Sequence, residues 1–290
     1  SEEKEPVVKF QNAMMAPLLS VMAVAVGFPL LYSLWLGFTS YQLVSGGVAD
    51  FVGLDNYIRI LSDGDYWTSL SATATYVFLS VTFELIIGLS IALALQGQKW
   101  FKNFTRSFLL APMFITPIAV GLMFRFFLND QLGAIPFYLD KVGMSYDFFG
   151  SGRALVSLAF IDVWQWTPFM VLLLLAGLES IPKQPIEAAR VDGANRFYIF
   201  RRVTLPMLSP ILVVAVLLRG LDALKVFEYV YATTRGGPGI ETKTIQYLTY
   251  QTGISYYRLA EASAMAFILL VIVLGVIILL FRRLERVNLR

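Results

Sequence analysis

The chain has 290 residues, 57% hydrophobic and 15% charged, with a net charge of +3 and a mean hydropathy of +0.68. A soluble domain averages roughly 45–50% apolar and about 25% charged, so the apolar excess points to a membrane protein. Cysteine and histidine are absent, which excludes disulfides, thiol nucleophiles, zinc sites and histidine acid–base chemistry; no metal site is expected. The basic residues lie in patches beside apolar blocks rather than on one domain face, which argues against nucleic-acid binding.

A membrane-crossing helix needs about 20 mostly apolar residues, and six stretches meet that length. After a polar segment, 1–12, the first span covers 13–38 without a charge; Pro17 and Pro29 are expected to kink it. The second, 70–95, carries only Glu84. The third, 104–128, has Arg106 and Arg125 towards its ends and Pro112 and Pro117 as expected kinks. The fourth, 155–176, carries only Asp162, with Trp164 and Trp166 nearby. A polar insert at 182–206 precedes the fifth span, 208–232. The sixth, 262–281, runs into a basic tail, 282–290. The fold class is all-α: a polytopic membrane protein with six transmembrane helices.

Lysine and arginine favour cytoplasmic loops. With both termini on one side, that side holds 14 basic residues against 6 opposite, and Arg125, Arg219 and Lys225 fall within spans. Both termini and the 182–206 insert are therefore expected in the cytoplasm.

The insert contains EAARVDGANRFYIFRRVTLP, residues 187–206. Proline is favoured in the first turn of a helix, and Pro182 and Pro185 precede about two helical turns from Ile186 to Asp192. Gly193 is a natural stop. A second short amphipathic helix is expected from Asn195 to Thr204, with Pro206 and Pro210 bracketing a turn into the fifth span. Such a segment fits either a rigid knob for a partner or a loop resting on lipid headgroups. In the fifth span Arg219, Asp222, Lys225 and Glu228 alternate in sign at i, i+3 spacing. They form either a self-neutralising ladder or part of a wet pathway, since intramembrane charges usually face a bundle interior or a cavity. Glu84 is the expected partner of Arg219, and Tyr229, Trp164 and Trp166 are candidates for stacking on sugar rings.

The 187–206 stretch resembles the EAA signature of the permease subunits of binding-protein-dependent ABC importers. Glu187, Ala188 and Ala189 precede Gly193, and Val203-Thr204-Leu205-Pro206 closes the pattern. FVGLDNYIRIL, LLAPMFITPIAVGLMFRFF, WQWTPFMVLLLLAGLESIP and LDALKVFEYVYATTRGGPGIETKTI are similar to the carbohydrate-uptake group, in particular the maltose-permease F-like subunits. Extra N-terminal spans and a large outward domain, found in the maltose subunit, are missing here. The resemblance implies a bacterial or archaeal cytoplasmic-membrane protein that pairs with a second, G-like permease. Two ABC ATPase subunits would dock on the insert and hold ATP and Mg, and an extracytoplasmic solute-binding protein would deliver the substrate. It makes the insert a cytoplasmic coupling helix, with Glu187, Ala188, Ala189, Arg190, Asp192, Gly193 and Ala194 as coupling residues. Glu84, Trp164, Arg219, Asp222, Lys225 and Tyr229 are the substrate-path candidates.

The chain carries no G-x-x-x-x-G-K-[ST]; GGPG at 236–239 reads as a turn. It is thus not expected to be an enzyme by itself. The rival function is a stand-alone secondary transporter or channel using the charged fifth span, which inverted repeats would favour; the two halves show no convincing similarity. Sugars, sugar alcohols, oligosaccharides, uronate oligomers and glycerol phosphates remain open as substrates.

Overall fold

The computed structural model describes residues 14–44, 49–96 and 108–288, with side chains as far as 278. The expected 1–12 segment, Arg106 and the last two residues of the tail lie outside the described residues. Among the described residues five helices are long and apolar enough to cross a membrane: α1 (Met14–Gly37), α3 (Gly64–Gln96), α7 (Ala154–Ser180), α9 (Arg196–Ala223) and the first part of α12 (Leu259–Asn288). A sixth span results if the bent pair α4 (Phe108–Phe114) and α5 (Pro117–Phe127) is counted as one. Shorter helices lie between them: α2 (Asp55–Leu61), α6 (Ala134–Lys141), α8 (Lys183–Val191), α10 (Glu228–Ala232) and α11 (Ile245–Tyr250). Among the described residues the β-structure is one isolated bridge, Thr39 to Phe51.

The chain forms two compact units, one from its two ends (up to Tyr66 and from Leu248) and one from Trp67 to Tyr247. In the first, α12 packs against both α1 and α2. Buried Asn56 on α2 donates to the carbonyls of Gly37 at 3.0 Å and Thr39 at 2.7 Å. Those carbonyls lie at the end of α1, where intrahelical partners run out. The asparagine of FVGLDNYIRIL is therefore a staple that closes the first span.

The second unit has two apolar cores. One gathers Val120, Phe124, Leu158, Ile161 and Val230; the other gathers Ala92, Met170, Leu174, Leu208 and Ala215. In the latter core α7 and α9 approach closely at Gly177, where an added Cβ would lie 2.8 Å from Leu208 Cδ1 and 2.7 Å from Ile211 Cδ1. Small residues at such crossings are what let membrane helices pack in the absence of a hydrophobic drive between them.

Proline shapes the spans in two different ways. In the third span Ile115 and Thr116 are extended (ψ 138° and 137°), and α4 and α5 meet at 102°. The residue before a proline is driven out of the helical region, so Pro117 breaks the helix as expected. The first span contrasts with that: a wide π-turn, Ala23–Gly27, precedes Pro29, and the helix continues. The wider turn absorbs the missing N–H without a break. Pro206 has the same solution, a wide turn at Phe200–Thr204. No turn therefore separates the second half of the insert from the fifth span, contrary to expectation. Arg196 to Ala223 is one helix.

The fifth span also ends earlier than 232. It stops at Ala223, tightens through Lys225 N to Asp222 O (3.0 Å) and Val226 N to Ala223 O (3.2 Å), and resumes as α10. Thr244 Oγ1 satisfies the Val226 carbonyl at 3.0 Å. Non-helical backbone is tolerated at membrane depth where it lines a polar cavity, and this stretch does so.

Gly177→Leu is expected to destabilise the protein by about 1–3 kcal/mol through overpacking of the α7–α9 crossing. Gly275→Leu on α12, where an added Cβ meets nothing within 4 Å, is the matched control. Thermal denaturation of the detergent-solubilised protein followed by size-exclusion chromatography should lower the midpoint for the first and not the second.

Candidate functional site: a buried arginine beneath a polar cavity

Spans two, four and five converge on Arg219. Its side chain is 1% exposed, yet it is bound by three acids. Nη2 donates to Glu84 Oε1 at 2.9 Å, and Nε lies 2.8 Å from Oε2, a close ion pair. Nη2 also donates to Asp162 at 2.5 Å, and Nη1 to Asp222 at 2.9 Å. Glu84 and Asp162 are buried, whereas the Asp222 side chain is 57% exposed. The Ser80 and Tyr76 hydroxyls face Asp162. A guanidinium presents five donors in a planar fork, which suits it to two-oxygen recognition of a carboxylate.

A cavity of about 200 Å³ opens in front of this cluster, lined by Trp166, Arg219, Asp222, Lys225, Glu228 and Tyr229 among others. The Arg219 guanidinium lies 5.2 Å from the centre of the Trp166 ring, within range of a cation–π attraction. Trp166 Nε1 donates to Tyr229 Oη at 3.1 Å, Tyr229 donates to Gln165 Oε1 at 2.6 Å, and Gln165 Nε2 donates to the Ile115 carbonyl at 2.7 Å. That carbonyl belongs to the break in the third span. It needs a partner in a membrane, and a chain of three hydrogen bonds ties it to the cavity wall.

Most of the path candidates come together here. Arg219, Asp222, Lys225 and Tyr229 line the cavity, and Glu84 holds Arg219 from behind, as expected. Trp164 does not join them. It is 36% exposed and packs edge-on against Phe124 at 5.3 Å, because it stands two residues, about 200° around the helix, from Trp166. The four-charge ladder is also not one helix flank, since Lys225 and Glu228 lie beyond the end of α9. Among the described residues these two form no ion pair with each other. Asp162 and Gln165 were not expected at the centre. Their signal was present as a lone acid in an apolar span and a polar residue three positions on, both one helical turn before or beside Trp166.

The coupling candidates occupy a separate place. None of the residues of α8, which carries Glu187, Ala188, Ala189 and Arg190, is buried, and Val191 is 88% exposed. Asp192 ends the helix and Gly193 has φ +81°. Gly193 N donates to Arg190 O at 3.1 Å and Ala194 N to Ala189 O at 2.9 Å, the pair of reverse bonds that closes a helix through a left-handed glycine. Asn195 then caps the next helix, its side chain accepting from Tyr198 N at 2.8 Å. Two helices thus meet at a defined corner with an apolar tip in the open.

Removing Arg219 would strand Glu84 and Asp162 without a counter-charge. Arg219→Leu is expected to cost about 3–5 kcal/mol, and Asp222→Asn under about 1 kcal/mol because that acid is largely exposed. Adding Glu84→Gln and Asp162→Asn to Arg219→Leu should recover much of the loss. Denaturation midpoints of the four proteins in detergent check the order.

Residues 84–287 match the family described as binding-protein-dependent transport system inner membrane component. Over 272 residues the chain is 36% identical to the trehalose/maltose transport system permease protein MalF of Thermococcus litoralis, covering 92% of this chain and 90% of that protein. It is 32% identical over 256 residues to the trehalose transport system permease protein SugA of Mycobacterium tuberculosis, covering 87% and 81%. A chain of a bacterial ABC transporter involved in the import of the acidic polysaccharide alginate has the same fold, with a TM-score of 0.80 at 22% identity over 96% of this chain and 95% of that one. A stand-alone secondary transporter is thereby set aside. The chain belongs to the family of inner-membrane permease components of binding-protein-dependent transport systems.

Proposed function

We propose that this permease forms half of a translocation pathway for a sugar, oligosaccharide or related polyol, and that the cavity above Arg219 is where that substrate passes. In this reading a second, G-like permease supplies the other half, and a binding protein delivers the substrate from outside. Two ATPase subunits carry ATP and Mg, and they drive the pathway through the 183–206 segment from the cytoplasm, where both termini also lie. The observation that carries the docking role is the exposure of α8: nine residues with none buried, held at a fixed angle by the Gly193 corner. An amphipathic helix without a buried residue and with a rigid exit suits insertion into a groove on another protein. The trehalose/maltose and trehalose permeases among the relatives support the sugar class, and the aromatic and acidic lining suits it, since hydroxyls find acceptors there and ring faces find Trp166.

The docking role is tested at the corner. Gly193→Asp meets no steric obstacle, as nothing lies within 4 Å of the added Cβ; it strains the left-handed backbone by about 1–2 kcal/mol and adds a negative charge at the C-terminus of α8. It should release the ATPase or uncouple hydrolysis from uptake while the spans still insert; Glu187→Ala should do so more mildly, as rim charges do. Normal ATPase copurification and normal coupled uptake with Gly193→Asp would refute the assignment.

The orientation is tested by labelling, which the absence of native cysteine makes clean. In intact cells Ser145→Cys should react with an impermeant thiol reagent and Gln184→Cys should not. The reverse pattern would invert the topology.

A further inference from the structure

The charges around the cavity are unequal. Four acids (Glu84, Asp162, Asp222 and Glu228) stand against two bases, Arg219 and Lys225. The guanidinium is already engaged: Nη1 donates to Asp222, Nη2 to Glu84 and Asp162, Nε lies 2.8 Å from Glu84 Oε2, and its face lies towards Trp166. Little of it is left for an incoming carboxylate, phosphate or sulfonate. Lys225, the other base in the lining, is exposed and sits three residues from Asp222 on one side and Glu228 on the other. Arg125 on α5, which packs against α10, donates to the Ala232 carbonyl at 3.3 Å and is not in the lining. What the cavity offers to cargo is two exposed carboxylates and the half-buried Trp166 indole. These accept hydrogen bonds from hydroxyl groups and stack on sugar rings, while like charge repels an anion.

We propose that the cavity is an electrostatic filter that passes uncharged, hydroxyl-rich cargo and turns back anionic saccharides and sugar phosphates, with Asp222 and Glu228 as the residues that set the sign. The inference rests on the reading of this cavity as part of the pathway. It narrows the substrate class, because the family fold alone leaves neutral and acidic cargo equally open. The acids of the filter are of two kinds. Glu84 and Asp162 are buried and bind Arg219 structurally; Asp222 and Glu228 face the cavity and are exchangeable.

Charged thiol reagents read the sign directly. In the assembled complex with its partner subunits, Ala223→Cys and, independently, Val226→Cys place a thiol in the cavity lining. Each is treated with methanethiosulfonates bearing a trimethylammonium, a neutral hydroxyl or a sulfonate group, and rates are divided by those for a free thiol. A cleft lined by one sign changes encounter rates by about 10- to 1,000-fold, so the cationic reagent should outpace the anionic one by at least about tenfold. Asp222→Asn with Glu228→Gln should collapse that ratio towards unity. Uptake is measured on the same labelled complexes. Block of uptake with a cationic preference supports the filter. Block of uptake with equal or faster reaction of the sulfonate overturns the filter and leaves the pathway reading standing. A cationic preference with uptake untouched by labelling at both positions overturns the pathway reading, and the filter with it.

Discussion

One guanidinium in the apolar interior organises the second unit. A lone charge at the bilayer centre costs about 2.5–3.5 kcal/mol on the insertion scale, so Arg219 on span five is tolerable only with its acids in place. Glu84 comes from span two, Asp162 from span four and Asp222 from the next turn of its own helix. The requirement is mutual, since neither buried acid is stable there without the arginine. Three spans are thereby held in one register by directional bonds, where lipid supplies no hydrophobic drive to sort them. The cavity exists because this cluster keeps polar groups at its floor, and the break after Ala223 exists because that cavity offers irregular backbone a polar lining.

Five of the six expected spans were legible in the sequence as single helices because length and apolar content are all that a bilayer demands of a helix. Pro117 was legible too, since its steric effect on Thr116 is local. The fate of Pro29 and Pro206 was not: whether a proline breaks a helix or widens a turn depends on what packs around the freed carbonyl, and that is tertiary information. Gly193 could be read from spacing alone, as the left-handed stop it turned out to be. The end of span five could not, because an apolar count carries Val226, Phe227 and Tyr229 into the bilayer without regard to the charges between them.

The cavity itself was half legible. The pairing of Glu84 with Arg219 followed from two isolated charges in two apolar spans, each needing a partner. Trp164 and Trp166 looked interchangeable as a tryptophan pair, yet helical geometry puts them on different faces, and only knowledge of which face carries Asp162 selects Trp166. Gln165 gives no sequence signal beyond its polarity. Its role appears once the carbonyl of Ile115, 50 positions earlier in the chain, is seen to need a donor.

The continuity of α9 has a mechanical consequence. Because the wide turn at Phe200–Thr204 replaces a break, the corner beside Gly193 and the guanidinium of Arg219 belong to opposite ends of one rod of 28 residues, about 40 Å long at 1.5 Å per residue. A hinge after the insert would let a push at the corner dissipate as bending. A rod turns the same push into displacement at its far end, where the bonds to Glu84 and Asp162 act as the fulcrum's grip. The hydrogen-bond ladder is interrupted at the wide turn, near the Gly193 end, and again at Pro210. A force applied at the corner would therefore reach the cavity as a change in the position of Asp222 relative to the acids on the neighbouring spans.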